Sequence, residues 1–257
     1  LLAVPVVNVY GFLQHSRYSP DRRDLNRHFP GLEKGSLTSQ LARTFMEEVV
    51  EGCTHGIDLH AGANHRANLP QVRAAIDDPE TLRLARAFKV PVIINAKTRE
   101  GSLRHAAAAD GVTMLLYEAG EALRFDETAI RAGLRGVMAV MQALGMLSAR
   151  RSPVSALEPL EADATSWVRA PASGLLRMNV PLGGRVARNA KIGTIADPFG
   201  GLEVAIRSPE SGMVVGRLNM PLVHRGDAVI HIAHLDRLKG IAPVIEEFRE
   251  EFTEETR

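Results

Sequence analysis

The sequence predicts an α/β layer domain, a mixed sheet flanked by helices, followed by a small all-β barrel or sandwich. Three observations carry this. Apolar runs alternate with amphipathic stretches up to residue 147. Serine, proline and charge then cluster between Ala149 and Asp163, as in a linker. Beyond that, a tandem repeat has strand periodicity. The expected boundaries are 1–150 for the α/β domain, 151–165 for the linker, 166–240 for the β domain and 241–257 for a charged tail. At 257 residues the chain can bury one large core or two unequal ones. Its 45% apolar and 24% charged residues are ordinary globular composition. A net charge of +1, with both signs mixed, points away from nucleic acid and from a membrane surface. No apolar run approaches the ~20 residues of a membrane span.

Taken in order, the β-branched run Val4 to Tyr10, interrupted by Pro5, reads as a buried strand. The opening residues lack the basic start and cleavage site of a signal peptide and read as a strand already under way, so a start inside a fold is expected. Gly11 to Gly35 is a long connection rich in arginine, of the length that is usually functional or disordered. Ser36, Thr38 or Ser39 can cap a helix with Leu41, Phe45, Val49 and Val50 on one face, and Gly52 suits its stop. In Gly56-Ile57-Asp58-Leu59-His60, alternation predicts a strand with Ile57 and Leu59 toward the core and Asp58 and His60 on the other face. Pro79 to Phe88 reads as a helix, Val90 to Asn95 as a buried strand and Ser102 to Ala109 as a short helix. Val112 to Tyr117 is a second buried strand, with Glu118 immediately after it. Thr128 to Leu147 is the strongest helix, with Ile130, Leu134, Val137, Met138, Met141 and Leu144 as its expected core stripe.

In the C-terminal part, Arg169 to Gly174 (RAPASG) matches Arg207 to Gly212 (RSPESG) at a spacing of 38, and Arg188 to Ala196 matches Arg225 to Ala233 at 37. Two such units imply a pseudo-two-fold axis. The stretch between them, Asp197 to Glu203, has no lysine, so no lipoyl or biotinyl group is expected and the barrel should serve packing or homo-oligomer contacts. Ile245, Phe248 and Phe252 form only a thin stripe in the last segment, which reads as a solvated helix or frayed end. The single cysteine, Cys53, excludes an intrachain disulfide and fits a cytoplasmic location.

Several side chains carry chemistry. An imidazole at a strand end beside a carboxylate, as at His60, is how metal ligands and catalytic bases are presented. Arg27 next to Asn26 offers a planar fork and an amide, a receptor for a carboxylate. Arg17 can polarise a carbonyl and hold the oxyanion formed on attack. Glu118, desolvated by its strand, suits a general base, with Glu121 as its rival. Each has a plain structural alternative: a hydrogen-bonded strand-end histidine, a solvated basic loop paired to Asp21 and Asp24, and an ion pair between Glu118 and an arginine.

The order Asn8, Gly11-Phe12, Arg17-Tyr18-Ser19-Pro20, Asp24-Leu25-Asn26-Arg27-His28-Phe29-Pro30-Gly31, then Asp58-Leu59-His60, then Glu118-Ala119-Gly120, resembles the succinylglutamate desuccinylase/aspartoacylase family of the zinc carboxypeptidase-like superfamily. The resemblance covers most of residues 4 to 147 and implies a carboxypeptidase-like mixed sheet, with the β domain similar to a biotinyl/lipoyl-like barrel-sandwich. By resemblance, His60 matches a zinc ligand, Glu118 the glutamate that activates water, Arg17 the arginine at the scissile carbonyl, and Asn26 and Arg27 the grip on the substrate carboxylate. The implied activity is hydrolysis of the amide bond of a small N-acyl amino acid, with one Zn2+ per chain in the complete protein. The chain departs from the family in one respect: it contains no His-x-x-Glu motif to supply two further ligands. His55, Asp58 and His60 lie along one extended segment spanning about 17 Å and cannot converge on one ion. The expectation is therefore a missing N-terminal piece of an enzyme, against a non-catalytic carboxylate-binding or scaffold member. Peptide hydrolysis is the nearer alternative.

Overall fold

The computed structural model describes residues 1–148, 158–235 and 238–253. A central mixed sheet is flanked by helices and followed by a C-terminal antiparallel β region. In chain order the helices are α1 (Val9–Leu13), α2 (Leu37–Phe45), α3 (Pro79–Ala87), α4 (Leu103–Ala109), α5 (Glu127–Ala143) and α6 (Ile241–Thr253). The strands of the first part are β1 (His55–Gly62), β2 (Arg66–Ala74), β3 (Val92–Asn95), β4 (Thr113–Glu121) and β5 (Leu160–Ala162). Those of the repeat region are β6 (Thr165–Arg169), β7 (Gly174–Met178), β8 (Arg185–Val186), β9 (Lys191–Ala196), β10 (Glu203–Arg207), β11 (Gly212–Leu218), β12 (Leu222–Val223) and β13 (Ala228–His234). Of the expected linker, 151–157 lies outside the described residues, and the rest includes β5, which pairs parallel to β3. No described helix is long and apolar enough to cross a membrane.

Contacts divide the chain into two compact units, Leu1–Asp58 with Lys97–Leu116, and Leu59–Ala96 with Tyr117–Arg257. In the first unit α2 and α4 pack over Leu25, Phe29, Ala42, Met46 and Val50. Ser36 caps α2 by accepting from the Ser39 N–H, and Ser102 caps α4 by accepting from the His105 N–H. The strand expected over Val4 to Tyr10 is not formed. Asn8 accepts from the Gly11 N–H at 2.9 Å and opens α1, so a local cap prevails over β-branched propensity where Pro5 has already removed a ladder donor.

The larger sheet runs β1-β4-β2-β11-β13-β6, with β3 also on β2 and β8 on β11. Leu59 on β1 is 59% exposed rather than facing the core, because β1 is the terminal strand of this order. In the second unit the face that α5 buries is not its stripe of large residues. Ala132, Gly133, Gly136 and Val140 are buried, whereas Val137, Met141 and Leu144 of the stripe are half-buried and Ile130, Leu134 and Met138 are exposed, Leu134 by 63%. The reason is the stacked pair Phe88 and Tyr117, with centroids 5.1 Å apart. A Cβ on Gly136 would lie 2.0 Å from the Phe88 ring, so the helix can approach only through its small residues.

The repeat is visible as equivalent register. Leu175 pairs with Ala196 in the four-stranded sheet β10-β9-β7-β12, as Met213 pairs with Ala233 in the larger sheet. Gly174 and Gly212 sit at matching corners, where a Cβ would meet the carbonyl oxygens of Ala196 and Ala233 at 2.5 and 2.0 Å. Between the sheets lie Val168, Ile192, Ile195, Ile206, Ile230 and Ile232. The terminal segment is also a packed element rather than a solvated one. Ile241, Ile245, Phe248 and Phe252 of α6 are all buried, since their spacing puts them on one helical face. Residues 254–257 of the expected tail lie outside the described residues.

The choice of face on α5 is testable. Gly136→Val should cost about 2–3 kcal/mol by overpacking Phe88, while Leu134→Ser should stay within about 0.5 kcal/mol. Urea unfolding followed by circular dichroism measures both, and the reverse order would return the core to the large-residue stripe.

Candidate functional site

In the first unit the arginine-rich connection is organised by Asp24. Its Oδ2 accepts from Arg17 Nε at 2.8 Å and its Oδ1 from the Asn26 N–H at 3.0 Å, while its carbonyl lies 2.8 Å from His28 Nδ1. A single turn, Leu25–Arg27, follows. Asn26 then spends its Oδ1 on the N–H of Leu103, 2.9 Å away at the start of α4, which fixes the direction of its amide donors. Arg27 Nη1 donates to the Asn26 carbonyl at 2.5 Å. Burial, with Arg99 and Arg17 nearby and Asp24 opposing them, holds the Arg27 pKa below its ordinary value. Gly31 ends the segment at φ +86°, where a Cβ would stand 2.2 Å from the Ser39 carbonyl oxygen. Arg17, Asn26 and Arg27 are therefore gathered around one carboxylate. The other part of the structural alternative is present as well, in the Arg23 to Asp21 pair at 3.5 Å.

His60 and Glu118 belong to the second unit, on the neighbouring strands β1 and β4. Glu118 lies within β4, which continues to Glu121, rather than just beyond a strand. Its Oε2 accepts from Arg73 Nε at 3.1 Å and, at 3.5 Å, from Asn68 Nδ2. Glu121 is tied elsewhere. Asn219 Nδ2 donates to it at 2.9 Å and Arg124 Nε lies 3.3 Å away, and these partners hold its pKa below the usual value although burial acts to raise it. Arg73 also reaches His231, its Nη2 lying 3.3 Å from Nδ1. The His231 ring stacks on Trp167 with centroids 4.3 Å apart and an interplanar angle of 2°. The Arg66 guanidinium lies 5.2 Å from the Trp167 centroid.

Among the described residues no group of three or more His, Cys, Asp or Glu is placed to hold a metal ion. A catalytic zinc takes three protein ligands, and His60 is one imidazole, so the described donor set does not by itself fit zinc.

A sequence profile of the succinylglutamate desuccinylase/aspartoacylase catalytic domain matches residues 1–144. The chain belongs to the succinylglutamate desuccinylase/aspartoacylase family. One relative is the N-alpha-acetyl-L-2,4-diaminobutyric acid deacetylase of Halomonas elongata, 26% identical over 247 residues, which are 91% of this chain and 72% of the relative. The fold matches the product-bound ectoine utilization protein EutE of Ruegeria pomeroyi at a TM-score of 0.80 and 24% identity, covering 90% of this chain and 74% of that one. It also matches a succinylglutamate desuccinylase/aspartoacylase of Rhodobacter sphaeroides at 0.79 and 23%, covering 89% and 73%.

Asn68, Arg73 and His231 take part in these clusters without having been singled out from the sequence, which names Asp24 as an ion-pair partner of the basic loop and not as its organiser. For Asp24 a signal existed: an Asp two residues before an Asn-Arg pair is a turn former that can receive both N–H groups and a guanidinium. His231 has no such signal, because its partners come from distant strands.

Burial first, then Arg73 and His234, push the His231 pKa from 6.5 down to about 3. The unfolded chain takes up this proton near 6.5 and the folded chain only near 3, so stability from the neutral ring is complete above 6.5 and is lost as pH falls toward 3. Denaturation at pH 7, 5.5 and 4 should therefore show a steeper loss for the native chain than for His231→Gln. Parallel curves would remove His231 from the acid response.

Proposed function

We propose that the protein is an amidohydrolase that removes the acyl group from a small N-acyl amino acid or a related carboxylate. The observation that carries this reading is the preset loop. The Asn26 side-chain amide is oriented by accepting from the Leu103 N–H, and the Arg27 guanidinium by donating to the Asn26 main-chain carbonyl, so one turn presents an amide and a guanidinium, the chemistry that receives a carboxylate. Membership of the family and the deacetylase activity named for the Halomonas relative support the same class of reaction.

In this reading Glu118 accepts a proton from the attacking water and later delivers it to the leaving amine, as the C–N bond breaks to give a carboxylate and an amine. Arg17 meets Asp24 through Nε, which leaves its Nη groups for the substrate carbonyl and the oxyanion it becomes. Asn26 and Arg27 hold the substrate carboxylate. Zinc dependence, with one ion per chain bound through His60, and a cytoplasmic location belong to the same proposal. A second reading rests on His60 being a single imidazole: a member that binds carboxylates and turns nothing over.

Amine release from N-acetyl and N-succinyl amino acids by the full gene product tests the proposal. Glu118→Gln should lower kcat by about 10²–10⁴ while substrate still binds, and Glu121→Gln should retain turnover. Arg27→Lys should chiefly raise KM, since an ammonium cannot reproduce the fork. His60→Ala should reduce metal content along with rate. Calorimetric binding of these compounds without any amine release would establish the second reading, and loss of turnover in Glu121→Gln alone would move the base to Glu121.

A further inference from the structure

We propose that Arg73 is the positioning residue of the base, and that the C-terminal β region fixes it through His231 clamped on Trp167; this rests on the reading of Glu118 as the base. Arginine has donors only, so the 3.3 Å contact from Arg73 Nη2 requires His231 Nδ1 to be an acceptor, with the ring proton on Nε2. A second proton, on Nδ1, would break the contact and oppose two cations, in keeping with the depressed basicity of this ring. The ring is 3% exposed, and its parallel stack on Trp167 fixes its plane. Arg73 thereby acquires two anchor points on different nitrogens, Nη2 on His231 and Nε on Glu118, which fix the guanidinium plane.

The consequence falls on one carboxylate oxygen. Both hydrogen bonds to Glu118, from Arg73 and from Asn68, end on Oε2. Oε1 is the oxygen turned to proton transfer, and its direction is set by how firmly Oε2 is held.

Strand register places Asn68, His231 and Trp167 side by side. Asn68 pairs with Gly216, Gly216 with His231, and His231 with Trp167, so the four form one row across β2, β11, β13 and β6. Gly216 is the gap in that row. A Cβ there would lie 2.8 Å from Asn68 Oδ1 and 3.2 Å from His231 Cβ.

The test compares His231→Gln, whose amide oxygen can still accept from Arg73, with His231→Leu, which cannot, in the full gene product. Turnover of an N-acyl amino acid should fall about tenfold in kcat for His231→Leu with KM within about twofold, and stay within about threefold for His231→Gln. Independently of turnover, the Arg73 Nε–H resonance should be slowly exchanging in the native protein and in His231→Gln and be lost in His231→Leu. Far-UV circular dichroism followed through urea unfolding reports whether each variant keeps its fold. Should His231→Leu fail to fold, Trp167→Leu with the same two readouts takes its place. Equal losses for Gln and Leu, or an unchanged Nε–H signal in Leu, would overturn the clamp. If the native protein hydrolyses no N-acyl amino acid, the proposed function fails while the resonance still decides the clamp.

Discussion

Main-chain pairing between β2 and β11 is the constraint on which the second unit depends. One edge of β2 is shared: Arg66 to Asn68 pair antiparallel with β11, and Gln71 to Ala74 pair parallel with β3. Pro70, which has no N–H to give, falls between the two pairings. The chain thus changes partner and direction at the one residue that costs no ladder bond. Because β11 belongs to the repeat, this short ladder makes the C-terminal region part of the main sheet. Everything placed by the row from Asn68 to Trp167 follows from it.

Such a layout gives polar groups in the sheet a defined purpose. Gln71 is fully buried and donates to the Val215 carbonyl at 3.2 Å, holding β2 to β11 by a side chain as well as by backbone. Arg73 and Glu118 are each about a fifth exposed on the side chain, shielded enough for their pairing to be directional. In the first unit Asp24 plays the corresponding part, receiving a guanidinium and a backbone N–H and so bringing Arg17 near Asn26 and Arg27. Both groups are polar side chains oriented by other polar side chains on regular or tightly turned backbone, which is what fixed geometry for chemistry requires.

Local features were legible in the sequence, and long-range ones were not. Ser36 and Ser102 announce α2 and α4, because a cap and its N–H are three residues apart. The repeat announced two equivalent β units, because matched segments at a constant spacing need no partner to be seen. The face of α5 was misread because periodicity finds a stripe without saying what it meets; Phe88, far back in the chain, decides that the glycines go inward. The residue types at Arg17, Asn26, Arg27, His60 and Glu118 stand out in sequence. Their partners do not: Arg73 and Glu118 are 45 residues apart, and Arg73 and His231 are 158 apart. Nothing local encodes those distances. They arise from sheet order.

The equivalence of the two repeats carries one more implication. Trp167 opposite His231 in the larger sheet corresponds, by the spacings of the repeat, to Ala205 opposite Thr194 in the smaller one. The same pair of positions on the same scaffold is filled there by a methyl and a hydroxyl. The architecture therefore does not demand an indole and an imidazole at this crossing. A parallel indole–imidazole stack is thus a property of one half of the repeat and not of the scaffold that both halves share.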